Sequence, residues 1–239
     1  MRKKKKKAKS KLLRRVRRIV LYLFAAQLLY ILVLRWVNPP FTLTTLASRI
    51  EGLGTDQTFR RQWVDYADIS LYAKLAVIAG EDQRFTEHHG FDMASIEKAW
   101  AHNQTSDQQR GASTISQQTA KNVFLWQGGG WFRKGLEVYF TFMIEQLWGK
   151  KRILEVYLNV AEMGKGLFGV GAASHYYFNR SAAKLSRSQA ALLAACLPNP
   201  QYYTIRPLAG RTRYRQHWIL GQMGNLRGNP ALEKLLRSP

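Results

Sequence analysis

Glu81-Asp82-Gln83-Arg84-Phe85-Thr86-Glu87-His88-His89-Gly90 and, further along, Gly111-Ala112-Ser113-Thr114-Ile115-Ser116-Gln117-Gln118-Thr119-Ala120-Lys121-Asn122 are the two stretches that organise the reading of this chain. Neither is composed to fill a core. The first sets an acidic pair behind an apolar helical segment, and the second aligns hydroxyls, amides and an amine. Together they read as a site for an oxygen-rich, anionic substrate.

Helical patterns surround both stretches. Ser70 can cap a helix in which Leu71, Leu75 and Ile78 recur at helical spacing up to Gly80, which places Glu81 just beyond its end, at a mouth. Asp92 caps a second helix with Met93, Ile96 and Trp100 on one side, and Ser113 or Ser116 caps a third. The segment 132–148 is aromatic and apolar on one face, and 150–160 is amphipathic. Ser186-Arg187-Ser188-Gln189 is a capping box ahead of the apolar run 190–197. No run of alternating strand residues stands out, so the expected class is mainly α.

On the third helix Ser113, Gln117 and Lys121 fall four residues apart and share a face, with Gln118 able to join them. Such a face can hold sugar hydroxyls and a phosphate, or it can be a solvated surface. Gly111 beside it lets backbone approach a ligand. Arg133 and Lys134 precede Glu137 by four and three residues, which fits either a surface ion pair or a carboxylate held ionised beside a phosphate site. Glu145, Glu155 and Glu162 read as structural acids. His88 is expected to orient the loop carrying Glu81, and no cluster at ligand spacing suggests zinc.

The N-terminus sets the location. Residues 2–18 carry twelve Lys or Arg and no acid, followed by sixteen uncharged residues, 19–34. A bilayer core asks for about 20 residues, so Arg35 snorkels and Trp36 and Val37 complete a span over 19–37. Arg35-Trp36 does not resemble a small-residue cleavage site, which favours an uncleaved anchor over a signal peptide. The positive-inside rule puts the tail, 1–18, in the cytoplasm and the rest across the membrane. Pro39-Pro40 ends the anchor, 38–60 is a polar connector, and 61–239 is one globular domain. The net charge is +22, and removing the tail's twelve cations leaves +10 on the remainder. That suits anionic headgroups or a phosphorylated ligand. Nucleic acid, the usual partner of so basic a chain, is excluded by the anchor and the side of the membrane. A lone cysteine, Cys196, in an apolar helix offers no disulfide and reads as a buried thiol.

The order of motifs is itself informative. Glu81-Asp82-x-x-Phe85-x-x-His88-x-Gly90-x-Asp92, the Gly111–Asn122 stretch, Arg133-Lys134-x-x-Glu137 and Lys151-Arg-Ile-Leu-Glu-Val-Tyr-Leu-Asn159 resemble the motif set of the peptidoglycan glycosyltransferases, including the N-terminal domains of bifunctional penicillin-binding proteins. The resemblance runs from about Leu71 to about Pro200, and its monofunctional biosynthetic members are the nearest type. It implies a lysozyme-like α-helical fold with a larger lobe and a small membrane-facing jaw lobe. The implied reaction moves a growing glycan from undecaprenyl diphosphate to the GlcNAc 4-hydroxyl of lipid II, with inversion. The implied setting is the bacterial inner membrane, with the catalytic domain in the periplasm.

By that resemblance Glu81 is the general base and Glu137 the second catalytic glutamate. Asp82, Phe85, Ser113, Gln117, Gln118, Lys121, Arg133 and Lys134 are the substrate-binding set. No tightly bound cofactor is implied, although a divalent cation, Mg or Mn, beside Glu137 is left open. Other cell-wall synthesis or division proteins are the expected protein partners. One departure stands out: where many members carry an Arg-Ser pair, this chain has Gly128-Gly129-Gly130, which leaves open either compensation by Arg133 or a metal ion for a diphosphate contact of that arginine, or a slower enzyme. Trp126, Trp131 and Phe132 beside the glycines suit either the membrane interface or a core. A lytic transglycosylase or lysozyme-like hydrolase would share the fold and one glutamate, but would not need the phosphate-side residues.

Overall fold

The computed structural model describes residues 2–52, 59–106 and 111–238. The chain divides into two compact units, 1–38 and 39–239. The first is one helix, α1 (Arg2–Val33). Its segment Lys11–Val33, 23 residues, is long and apolar enough to cross a membrane, and only 6% of its apolar window is buried within the protein. The helix stops at Val33, earlier than the expected end of the span, and the Arg35 guanidinium then lies 5.1 Å from the Trp36 ring centre.

The second unit is built from ten helices and three very short strands among the described residues. Its first helix, α2 (Leu43–Glu51), falls inside the stretch expected to be a connector. Thr42 and Thr45 close a reciprocal cap there, which a search for apolar periodicity passes over. α3 (Leu71–Glu81) starts at Ser70, whose hydroxyl accepts from two backbone N–H groups. α4 (Met93–Thr105) starts at Asp92. α5 (Ile115–Phe124) starts at Thr114, not at Ser113 or Ser116. α6 (Trp131–Leu147) and α7 (Gly149–Val160) follow, then α8 (Gly169–Phe178), α9 (Arg187–Cys196) with its Ser186–Gln189 box as expected, α10 (Gly210–Asn225) and α11 (Pro230–Leu236).

β1 (Arg60–Arg61) pairs parallel with β3 (Leu167–Phe168), and β2 (Glu162–Gly164) pairs antiparallel with β3. Strands of two and three residues are too short to print an alternating pattern in the sequence.

Two helix groups position the site. α3, α9 and α10 pack on one another, while α5 packs against α2, α6 and α7. The core runs through Val77, Ile115, Ile144, Leu154 and Leu158, each almost fully buried. Gly80 lets α10 approach α3 closely, since a Cβ there would stand 3.2 Å from Ile219 Cδ1. Cys196 is buried as expected, and burial pushes its thiol up to about 12.

Two apolar faces lie at the surface. α4 buries no residue, and Met93 and Trp100 are exposed. α6 buries Glu137, Thr141 and Ile144 and turns Trp131, Phe132, Val138 and Phe142 outward. On α3 the buried positions are Ala73, Lys74, Ala76, Val77, Ile78 and Ala79, while Leu71 lies at the surface.

Candidate active site

Glu81 is the last residue of α3, and its side chain is only 9% exposed. One oxygen accepts from Arg215 Nη2 at 2.9 Å and the other from Gln118 Nε2 at 2.8 Å. Arg215 also donates to the Gly80 carbonyl at 2.9 Å, which ties α10 to the end of α3. The orientation of Gln118 is fixed from behind, because its Oε1 accepts from the Tyr157 hydroxyl at 2.9 Å. Burial holds the Tyr157 phenol well above its ordinary value, so it remains a donor. Burial likewise raises the Glu81 carboxyl, and Arg215 and Gln118 pull against that rise. A buried carboxylate with a raised pKa, steadied by two donors and facing a cavity, is equipped to take a proton.

That cavity, about 530 Å³, is bordered by Glu81, Arg84, Lys98, Ser113 and Trp218 among others. Beyond Glu81 lies a cationic group. Burial lowers the Lys121 ammonium, and both Glu137 and Glu81 raise it, Glu137 the more strongly. Lys121 is therefore close enough to both acids to feel their charge. Glu137, 3% exposed, receives Arg133 Nη1 at 2.7 Å on one oxygen and the Lys134 ammonium on the other. Three cations and one buried carboxylate leave a net positive surface, which suits a diphosphate.

The remaining residues of the first stretch are braces. His88 accepts the Gly90 N–H on Nδ1 at 3.1 Å, so Nε2 carries the proton donated to Asp82 Oδ1 at 2.9 Å. The other Asp82 oxygen accepts from the Ile115 N–H, the first of α5, at 3.0 Å. A neutral histidine thus locks the Glu81 turn onto α5, as expected of His88.

A transglycosylase family model matches residues 47–224. The chain is 47% identical to the biosynthetic peptidoglycan transglycosylase of Pseudomonas aeruginosa over 228 residues, 95% of this chain and 98% of that one. It is 58% identical to that of Shigella boydii over 173 residues, 72% of each chain. The chain belongs to the transglycosylase family. The match begins inside α2, upstream of the expected domain start at 61. The transglycosylase domain is lysozyme-like and mainly α, as the motifs implied.

Within this transglycosylase, Glu81, Gln118 and Lys121 from the expected set lie together, and Arg133, Lys134 and Glu137 form the adjoining cluster. Ser113 is exposed on the cavity rim. Three residues of the expected substrate-binding set are engaged within the protein. Phe85 is fully buried, edge-on to the His88 ring with centres 6.4 Å apart, and so has no surface for substrate. Asp82 is occupied by His88 and Ile115. Gln117 is buried and closes the α5 cap: its Oε1 accepts from the Thr114 N–H at 3.0 Å, and its own N–H donates to Thr114 Oγ1 at 3.1 Å. Ser113 precedes that cap, which breaks the expected face of Ser113, Gln117 and Lys121.

Glu145, read as a structural acid, is held by Lys150 at 2.7 Å and by the Ser116 hydroxyl. Arg215, Tyr157 and Trp218 were not expected at the site. The available signal was composition: α10 carries Arg211, Arg213 and Arg215 with no acid along its length, so a cation that turns inward needs a partner from elsewhere in the chain.

A divalent ion beside Glu137 does not fit the residues present. Both oxygens of Glu137 already accept from cations, and among the described residues no three His, Cys, Asp or Glu side chains stand together to hold a metal.

Proposed function

We propose that this transglycosylase polymerises peptidoglycan glycan chains with Glu81 as general base, and the observation that carries the assignment is the Arg215–Glu81–Gln118 arrangement at the cavity edge, beside Lys121. The acceptor is the GlcNAc 4-hydroxyl of lipid II, and the donor is the growing glycan on undecaprenyl diphosphate. A sugar hydroxyl is a poor nucleophile, and a positioned carboxylate is worth about 10² to 10⁴ in rate. Glu81 takes the hydroxyl proton as the oxygen bonds to the donor anomeric carbon, and the bond from that carbon to the diphosphate oxygen breaks. The diphosphate leaves with the electron pair and its charge, meeting Lys121, Lys134 and Arg133. Direct displacement without a covalent intermediate inverts the anomeric centre, giving a β-linked chain from an α-linked donor.

Glu137 holds Arg133 and Lys134 in place until the diphosphate competes for them. Gly128 and Gly129 adopt φ of +74° and +84°, a region that an Arg-Ser pair would occupy only under strain, and Arg133 is the guanidinium this chain offers on the diphosphate side. The basic N-terminus remains in the cytoplasm, α1 spans the inner membrane and the catalytic unit works in the periplasm. Exposed Trp126, Trp131 and Phe132 rest at the lipid interface, within reach of membrane-borne substrates.

The test is incubation of the full-length protein with labelled lipid II in detergent and sizing of the products before and after muramidase digestion. Muramidase-sensitive polymer that disappears with Glu81→Gln supports both the reaction and its base. Shortening of preformed glycan in place of polymer would move the protein to the lytic class.

A further inference from the structure

Trp218 lines the same cavity as Glu81 and is 41% exposed, whereas its neighbour Ile219 is completely buried. The two point differently for a structural reason. Ile219 fills the space left by Gly80, and Gln216 is held by the Ser188 carbonyl at 2.9 Å, so α10 is pinned to α3 and α9 on both sides of the ring. Arg215 lies one helical turn before Trp218, with its guanidinium carbon 5.7 Å from the ring centre, and the same guanidinium holds Glu81. A large, rigid, partly uncovered aromatic ring is therefore fixed relative to the carboxylate.

Isolated exposed apolar residues are ordinary. This one borders a cavity whose lining also includes the polar side chains of Ser113, Lys98 and Arg84. One apolar plane among converging polar groups matches a pyranose, which presents a C–H face on one side and hydroxyls around its edge.

We infer that Trp218 is the platform on which the acceptor sugar stacks, setting its hydroxyl against Glu81. The inference rests on Glu81 acting as the base, and it adds a positioning contact made by a residue outside the four motifs. Tryptophan suits the role because it offers a wide apolar face at little cost in side-chain entropy.

Two measurements test it. In the first, saturation-transfer NMR follows the GlcNAc-β-1,4-MurNAc disaccharide on full-length protein in detergent, comparing wild type, Glu81→Gln, Trp218→Phe, Trp218→Leu and Trp218→Ala. Transfer to the sugar-ring protons is expected with wild type, Glu81→Gln and Trp218→Phe. It is expected to fall roughly fivefold to tenfold with Leu and Ala, the range an aromatic contact spans. Trp218→Leu keeps apolar bulk, so its loss separates stacking from a general packing defect. In the second, lipid II polymerisation with Trp218→Leu should show kcat/KM lowered by at least the same factor, with KM raised.

Equal transfer to Trp218→Leu and wild type, or no transfer to wild type, overturns the inference. So does a fall in kcat at unchanged KM, which would make Trp218 a support for Arg215 alone. Because disaccharide binding needs no turnover, a Glu81→Gln enzyme that still polymerised would remove the base assignment and leave the stacking result standing.

Discussion

Glu81 and Glu137 are both nearly buried carboxylates, and they are held in opposite ways. Glu137 draws its two cations, Arg133 and Lys134, from its own helix, four and three residues back. Glu81 draws its one cation from a position 134 residues away in sequence and its amide from another helix. The first arrangement leaves both Glu137 oxygens bonded to charged donors. The second leaves Glu81 at a cavity edge with burial still raising its carboxyl despite Arg215. The proposed reaction needs a carboxylate that can accept a proton at one place and a reserve of positive charge at the other. The difference between these acids fits both needs.

The comparison can be broken most forcefully at Glu81. Glu81→Gln is expected to lower kcat by about 10² to 10⁴ in the lipid II assay. A carboxyl whose folded pKa is raised contributes stability that is fully present below its ordinary pKa and lost as pH rises through the raised value. The amide should therefore melt no lower than wild type at neutral pH by calorimetry, although Glu81 is buried.

Lys121→Ala removes a cation that feels both acids and should reduce kcat by about 10² to 10³, as for loss of one preorganised donor. Lys121 is lowered from its ordinary value, so the alkaline limb of the wild-type kcat/KM profile should lie below an ordinary lysine pKa, and the acid limb, set by Glu81, above an ordinary carboxylate pKa.

Arg215→Ala sharpens the contrast on one side. Removing the guanidinium removes the main influence lowering the Glu81 pKa, so the acid limb should move to higher pH and neutral-pH kcat/KM should fall on the order of tenfold, with Arg215→Lys in between. An unmoved limb would detach Arg215 from the base.

Lys134→Ala is the smallest effect on stability. The Lys134 side chain is 40% exposed and Glu137 keeps Arg133, so chemical denaturation should register about 1 kcal/mol or less.

Local arrangements were legible in the sequence. The Ser70 and Asp92 caps, the Ser186–Gln189 box and the Arg133–Lys134–Glu137 cluster lie within one helical turn, where spacing dictates contact. The misreadings occur where burial decides the role. Phe85 and Gln117 sit in motifs beside the site and still point into the core and into a cap. The aromatic stripe of α6 has the period of a core-facing helix, yet its buried side carries Glu137 and Thr141. A period shows that two faces differ and does not say which faces water.

The sequence by itself determined a mainly α chain with a basic, apolar N-terminus, the ordered motifs of its family, and the pairing of Glu137 with its own helix, because each depends on composition or on contacts a turn apart. Only the tertiary structure decided that Arg215 and Gln118 hold Glu81, that Tyr157 orients Gln118, and that Trp218 borders the cavity. Those contacts join helices far apart in the chain, and the ones made by α10 go with its close approach to α3 at Gly80, a packing relation that no local pattern encodes.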